Sequence, residues 1–232
     1  MTGRVTRDPV NQSLIEVADA FGVERLGLMN NQVWQEDPRR LLFTLARYKF
    51  VAKMLSGLED VVEVGCGDGF CARLVRQEVR RLTVTDYDPL FIQDIEARAH
   101  PRWDITAQIH DMLAEPLGHR FDALYSLDVL EHIDPADESR FLEHVCQSLQ
   151  PSGVAIIGMP SLESQRHASA ASRAGHVNCK SGPVLRDLLR THFAHVFLFS
   201  MNDETVHTGF LPMAHYLLAL CVAPKITGMA TP

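Results

Sequence analysis

The segment Val61-Val62-Glu63-Val64-Gly65-Cys66-Gly67-Asp68-Gly69-Phe70 limits what this chain can fold into more than any other, because a short apolar run enters a turn with glycine at every second position. The run reads as a buried strand, and the residues after the turn as the start of a helix. Glycines at 65, 67 and 69 let the backbone bend sharply and leave room for a ligand where a Cβ would clash. That arrangement implies a nucleotide-like ligand. It departs from the dinucleotide fingerprint G-x-G-x-x-G, whose third glycine falls on position 70; here the glycine comes at 69 and Phe70 follows it. A nicotinamide dinucleotide is therefore disfavoured.

After about Leu58 the chain alternates apolar runs with helical periods, the pattern of a parallel sheet covered by helices. Strands are predicted at Val61–Val64, Leu82–Asp86, Ile105–Ile109, Phe121–Ser126 and Val154–Met159. A helix is predicted at Ser181–His192, then strands at His195–Met201 and Ala214–Val222 with no helix between, which requires an antiparallel pair closing the sheet. The expected fold is α/β, a doubly wound Rossmann-like seven-stranded sheet with an antiparallel final strand, plus N-terminal helices. Residues 1–58 form an N-terminal helical element, with an amphipathic piece at Leu14–Phe21 and a longer one at Arg39–Leu55 opened by Asp37-Pro38. Residues 59–232 form the main domain. Its polar, alanine- and serine-rich stretch Leu162–Gly175 has no clear period and predicts a lid or a mobile loop around 160–180.

Charge narrows the ligand further. A carboxylate at Glu63, just before the glycine turn, would repel a pyrophosphate and attract a ligand carrying an ammonium group, as S-adenosylmethionine does beside its sulfonium. The plainer alternative is that Glu63 only ends a strand, although a lone acid at a buried strand position is costly without a partner. Asp86 ends the second strand, where folds of this kind place a carboxylate on ribose hydroxyls, and Asp88 is its rival.

The glycine turn, the acid ending the second strand, His110-Asp111-Met112 and the segment Phe121-Asp122-Ala123-Leu124-Tyr125-Ser126-Leu127-Asp128-Val129-Leu130-Glu131-His132 together resemble the class I S-adenosylmethionine-dependent methyltransferases. The resemblance covers roughly residues 40–223 and is closest to the small-molecule group that includes the ubiquinone-biosynthesis O-methyltransferases. It implies that Glu63 holds the methionine amino group, Asp86 the ribose and Asp111 the adenine amine, with Gly65, Cys66, Gly67 and Leu127 lining the crevice. Tyr87 and Met112 would pack on the adenine faces, or else belong to the core. Arg47 resembles the arginine that clamps the cofactor carboxylate in the ubiquinone enzymes; its alternative is an ordinary surface arginine.

Methyl transfer from a sulfonium is an in-line displacement, so holding nucleophile, methyl and sulfur collinear supplies most of the catalysis, and a base is required only for an un-ionised acceptor. Asp128, His132 and His176 are the candidate bases. Asp128, Glu131 and His132 also resemble an acid-x-x-Glu-His cluster that holds a divalent metal in some ubiquinone-pathway enzymes, but a capping and packing cluster is the preferred reading and no metal is assigned. His176 either faces an acceptor from the lid or caps the helix that follows it.

The net charge of -7 argues against a partner bound through phosphates, since such binding relies on clustered Lys and Arg. No nucleic acid partner is expected. The chain also lacks the Pro-Pro-aromatic motif of DNA amino-methylating enzymes and the paired-glutamate hairpin of protein arginine methyltransferases. A small-molecule acceptor, methylated at O or N, is left by elimination. Five scattered cysteines without zinc-site spacing fit a reduced cytoplasm. The amino terminus shows no secretory signal and the apolar stretch Phe210–Pro224 is broken by Pro212 and His215, so no membrane association is expected. A monomer or homodimer is expected. A cofactor-binding partner protein without its own transfer activity is the competing reading.

Overall fold

The computed structural model describes residues 4–225; the ends of the two predicted domains, residues 1–3 and 226–232, lie outside the described residues. Five parallel strands form the first part of the sheet: β1 (Asp60–Val64), β2 (Arg81–Asp86), β3 (Ile105–Ile109), β4 (Phe121–Leu127) and β5 (Leu149–Pro160). Three more follow, β6 (Phe193–Asn202), β7 (Thr205–His207) and β8 (Tyr216–Pro224), giving the order β3-β2-β1-β4-β5-β8-β6-β7. β8 lies antiparallel to both β5 and β6. The predicted antiparallel closing pair is therefore present, with the last strand inserted between β5 and β6.

The sheet has eight strands and not the seven expected. The extra one is β7, a three-residue return from β6 that pairs Asn202 with Thr205. Three residues of mixed polarity carry no readable alternation, which is why this strand has no signature in the sequence.

β2 and β4 pair with the two edges of β1 and helices cover its two faces, so Val61, Val62, Glu63 and Val64 are all buried. Strand alternation sends Val62 and Val64 to one core and Val61 to the other. The first core packs against α6 (Glu138–Gln147) and α8 (Gly182–His192). Phe141, Leu142, Val145 and Cys146 line one face of α6, and Leu185 and Leu189 one face of α8. Burying such Leu, Val or Phe side chains stabilises the fold by about 1.5–3 kcal/mol each. The second core packs against α3 (Arg39–Met54), α4 (Ala72–Arg76) and α5 (Pro89–Ala97). α3 places Tyr48, Phe50, Val51 and Ala52 in that core, so it shares one packed body with the sheet.

Two further helices precede α3: α1 (Gln12–Phe21), close to its predicted range, and α2 (Leu28–Glu36), which has no apolar period in the sequence. Neither buries a residue. The 160–180 stretch is folded as a 3-10 turn at Glu163–His167 and α7 (Ala170–Gly175). Its two ends are tied together where Leu162 N–H donates to the Lys180 carbonyl at 2.9 Å. No helix among the described residues is long and apolar enough to cross a membrane.

Candidate active site at the switch point of the sheet

Strand order reverses at β1: the chain moves outward through β2 to β3, then returns to place β4 on the other side of β1. The loops leaving β1 and β4 therefore diverge and open a crevice at the carboxyl ends of these strands, where ligands bind in open α/β sheets. The glycine turn leaves β1 at this point. Gly65, Gly67 and Gly69 all have positive φ, of 75°, 52° and 60°. A Cβ on Gly65 would stand 2.3 Å from Val129 Cγ2, and one on Gly67 would stand 2.5 Å from Met29 Sδ. Only glycine fits the first place, and at the second α2 lies directly over the turn.

α2 is fastened there by a buried carboxylate. Asp68 accepts from the Asn30 backbone N–H and from Asn30 Nδ2, both at 2.7 Å, and from the Phe70 N–H at 3.0 Å. Sequence reasoning missed Asp68, whose residue type inside a glycine turn looks like simple turn chemistry.

Glu63 is buried on the α3 side of β1, where it meets two tyrosines. Tyr125, its register partner on β4, donates its hydroxyl to Glu63 Oε2 at 2.8 Å, and Tyr48 from α3 donates to Glu63 Oε1. Burial pushes the Glu63 carboxyl up to about 8, outweighing the two tyrosine hydroxyls, which favour the ionised form. Burial likewise raises both tyrosine hydroxyls well above the usual phenol range. Glu63 thus does more than end a strand. It is a desolvated acid poised to meet a cation, and its oxygens keep further acceptor capacity.

Asp86 and Asp88 separate clearly. Asp88 caps α5, accepting from the Leu90 N–H at 2.9 Å. Asp86 is buried at the end of β2 and faces the glycine turn, accepting from the Gly67 N–H at 2.9 Å and the Asp88 N–H at 3.0 Å. Of the predicted residues around these, Cys66 and Leu127 are buried in the crevice walls, and burial with the nearby Glu63 raises the Cys66 thiol far above its usual range. Tyr87 is 75% exposed beside Asp86, while Asp111 is exposed and accepts from the Leu113 N–H at 2.8 Å. Met112 is buried in the core against α6, with its carbonyl accepting from His144 Nδ1 at 2.8 Å.

The loop after β4 carries the second set of predicted residues. Asp128 adopts a φ of 57°, a left-handed conformation unusual for a residue with a side chain, and its carboxylate accepts from Arg47 Nη1 at 2.7 Å. Burial alone would lower the Arg47 pKa, but Asp128 outweighs it and keeps the guanidinium charged. Arg47 also lies over the Tyr216 ring at 3.9 Å. Neither an ordinary surface arginine nor an unengaged base describes this pair: Arg47 is largely covered and Asp128 is spent on it. Arg47 and Tyr216 line a cavity of about 80 Å³ together with Phe43, Met201 and Asp203.

Buried polar atoms without partners gather here. They include Arg47 Nε, the Tyr216 hydroxyl and both carboxylate oxygens of Glu131. Each such atom costs free energy unless something outside the chain satisfies it, so their concentration at one place marks a site for a polar ligand. Glu131 is completely buried, and burial, reinforced by the charge of Asp128, raises its carboxyl well above the usual range. Its side chain caps nothing, so of the capping and packing role expected for the cluster only packing is compatible with this buried carboxylate. Nor does His176 cap α8: its Nδ1 is 2.9 Å from Gln165 Oε1, and its ring lies 5.1 Å from that of His132. Burial, with the neighbouring His132, lowers the His176 pKa and holds that imidazole neutral near neutral pH. The ligand atoms of Glu131, His132 and His176 lie within 4.8 Å of one another.

Residues 61–153 match the methyltransferase domain family. A probable S-adenosylmethionine-dependent methyltransferase of Mycolicibacterium smegmatis is 34% identical over 116 residues, covering 49% of this chain and 42% of that protein. The mitochondrial ubiquinone biosynthesis O-methyltransferase of Arabidopsis thaliana is 30% identical over 158 residues, covering 62% of this chain and 47% of that protein. The chain thus spans less than half the length of these curated relatives. Among solved structures, the N-methyltransferase NodS of Bradyrhizobium japonicum in complex with S-adenosyl-L-homocysteine superposes with a TM-score of 0.60 at 20% identity, covering 84% of this chain and 93% of that one. Match and fold agree: residues 61–153 carry a methyltransferase domain, and the proteins this chain resembles include a probable S-adenosylmethionine-dependent methyltransferase.

Proposed function

We propose that this protein transfers a methyl group from S-adenosylmethionine to an oxygen or nitrogen of a small-molecule acceptor. The observation that carries the reading is the pairing, across one switch point, of a glycine cradle flanked by buried Glu63 and Asp86 with a cluster of unsatisfied polar groups beyond β4. The cradle would be filled by any Cβ, and the acid beside it suits an ammonium and not a diphosphate, so the residues present fit that cofactor. When bound, it supplies an electrophilic methyl on sulfur, and the nucleophile's new bond forms as the carbon–sulfur bond breaks.

The chain's part is to bind, orient and keep water out. Glu63 receives the ammonium end, Asp86 the ribose hydroxyls, and the open edge formed by Tyr87 and Asp111 the adenine. On the acceptor side, neutral His176 and its neighbour His132 stand where a proton is taken from an un-ionised hydroxyl or from an ammonium, and Tyr216 offers a donor to an acceptor oxygen, while Arg47 keeps its expected part as the clamp on the cofactor carboxylate. A polar acceptor suits these groups better than a purely apolar one. Five unpaired cysteines, four of them buried, suit the reducing cytoplasm we assign to the protein.

Isothermal titration with S-adenosylmethionine and S-adenosylhomocysteine tests the reading. Binding in the micromolar range that is lost in Asp86→Ala supports it; tighter binding of NADH than of either compound overturns it. A cofactor-binding protein without transfer activity would bind both compounds yet never consume the methyl donor in the presence of candidate acceptors.

A further inference from the structure

The charges beyond β4 do not balance. Glu131 sits in the short turn Leu130–His132 after that strand, is completely buried, and accepts no hydrogen bond at either carboxylate oxygen. The cations of this region are committed elsewhere, Arg47 to Asp128 at 2.7 Å and Lys180 to Glu138 at 2.7 Å. One carboxylate is therefore left over in a desolvated place, where a cation from outside the chain would satisfy it. Two histidines complete the surroundings. His132 Nδ1 lies 2.9 Å from the Gly175 carbonyl, and His176 Nδ1 lies 2.9 Å from Gln165 Oε1. Both of those oxygens only accept, so Nδ1 carries the proton of each neutral ring and Nε2 keeps its lone pair.

One nitrogen or oxygen from each of Glu131, His132 and His176 lies within 4.8 Å of the other two. Hydrogen bonds of about 2.8–3.0 Å, radiating from one nitrogen at tetrahedral angles, place their acceptors about 4.6–4.9 Å apart. The cluster thus has the span of an ammonium pocket, and the three N–H groups of a primary ammonium match its three accepting side chains. A hydroxyl, with a single proton to donate, would leave two of them unpaired. We propose that Glu131, His132 and His176 bind the ammonium head of a primary amine, and that such an amine is the methyl acceptor. The second half of this statement rests on the methyl-transfer reading. In the step that follows, one ammonium N–H gives its proton to Nε2 of His176, which burial and the neighbouring His132 keep neutral, and the electron pair of that bond stays on the amine nitrogen. Asp128, whose charge opposes that lowering, steadies the imidazolium. The freed pair forms the nitrogen–carbon bond as the carbon–sulfur bond breaks and its electrons pass to sulfur. The product leaves as a secondary ammonium, and His176 returns its proton to solvent.

The test uses the full chain, isotopically labelled at its histidine nitrogens, saturated with S-adenosylhomocysteine and kept with a chelator throughout. Ethylammonium is the probe and ethanol its control. We expect ethylammonium to move the imidazole nitrogen resonances of His132 and His176 saturably, and ethanol at the same concentrations to leave them in place. Glu131→Gln keeps the shape of the side chain and removes its charge, and should weaken ethylammonium at least about tenfold. His176→Asn removes one of the three acceptors and should weaken it by a smaller factor. Thermal melts show whether Glu131→Gln folds; if it does not, the His132 resonance in His176→Asn carries the same comparison. The absence of a saturable shift with ethylammonium overturns the proposal, as do equal shifts from ethanol or undiminished affinity in the folded variants. Failure of the methyl-transfer reading shows separately, as no calorimetric binding of S-adenosylhomocysteine before any amine is added, and the titration of the cofactor-free chain then still decides the pocket.

Discussion

The hydroxyl of Tyr125 donates to the carboxylate of Glu63 at 2.8 Å between residues paired in register on adjacent central strands. The pair, completed by Tyr48 from α3, buries an acid at the entrance to the glycine turn and makes it a proton switch. Its carboxyl is raised from 4.5 to about 8 by burial. Between those values the folded chain holds a proton that the unfolded chain releases, so this group's contribution to stability is greatest at acid pH and falls as pH rises through about 8. Glu63→Gln should flatten the dependence of melting temperature on pH over that window. An arriving ammonium lowers the carboxyl's pKa, so cofactor binding at neutral pH should release a proton and tighten toward pH 8. Calorimetry in buffers of different ionisation enthalpy measures the release, and an equal release in Glu63→Gln would contradict the assignment.

Asp86 and Asp88 provide a matched contrast. Asp86→Ala should abolish measurable cofactor affinity with a modest loss of stability. Asp88→Ala removes a helix cap and should cost about 0.5–2 kcal/mol of stability while leaving affinity within a few-fold of wild type. The reverse ranking of affinities would exchange the roles of the two acids.

The glycine turn separates strain from ligand access. Gly65→Ala meets Val129 at 2.3 Å with φ at 75°, and should cost roughly 2–5 kcal/mol through overpacking and backbone strain. At Gly67 the obstructing atom is Met29 Sδ at the end of a flexible side chain, so Gly67→Ala should melt closer to wild type yet lose cofactor binding. Denaturant unfolding and calorimetry on the two variants decide this; equal destabilisation would show that the Met29 contact is rigid.

Asp68→Ala unties α2. Three hydrogen bonds to a buried carboxylate vanish, two of them from Asn30, and the loss should be about 1–3 kcal/mol. Amide exchange over residues 28–36 should rise while exchange in β1 and β4 stays slow. Unchanged protection of that helix would mean its hold on the turn lies elsewhere.

Much of this architecture was legible before the structure, for a physical reason: strands buried on both faces are mostly apolar, so β1, β2 and β4 fall within a residue or so of their predicted places, and the exposed edge strand β3 falls at its predicted place through its alternating Ile-Thr-Ala-Gln-Ile. α2, with its sequence Leu-Met-Asn-Asn-Gln-Val-Trp-Gln-Glu, buries nothing and leaves no period to read. On the cofactor side, Glu63 and Asp86 stood out because an acid at a buried strand end demands explanation. Their partners did not, since Tyr48 and Tyr125 reach Glu63 only through strand register and the seating of α3. The acceptor side was read least well. Asp128 and Arg47 looked separate at a distance of 81 residues, and their pairing, the solitude of Glu131 and the approach of His176 to His132 are products of the tertiary fold alone.

A crystal structure with S-adenosylhomocysteine bound is the most direct test of the central claim. The account predicts ribose hydroxyls within hydrogen-bonding distance of Asp86 and the amino group on the Glu63 side of the glycine turn, with the sulfur facing the loop after β4. A crevice that stays empty at saturating ligand, or one that accepts a diphosphate against Gly65 and Gly67 instead, would contradict it.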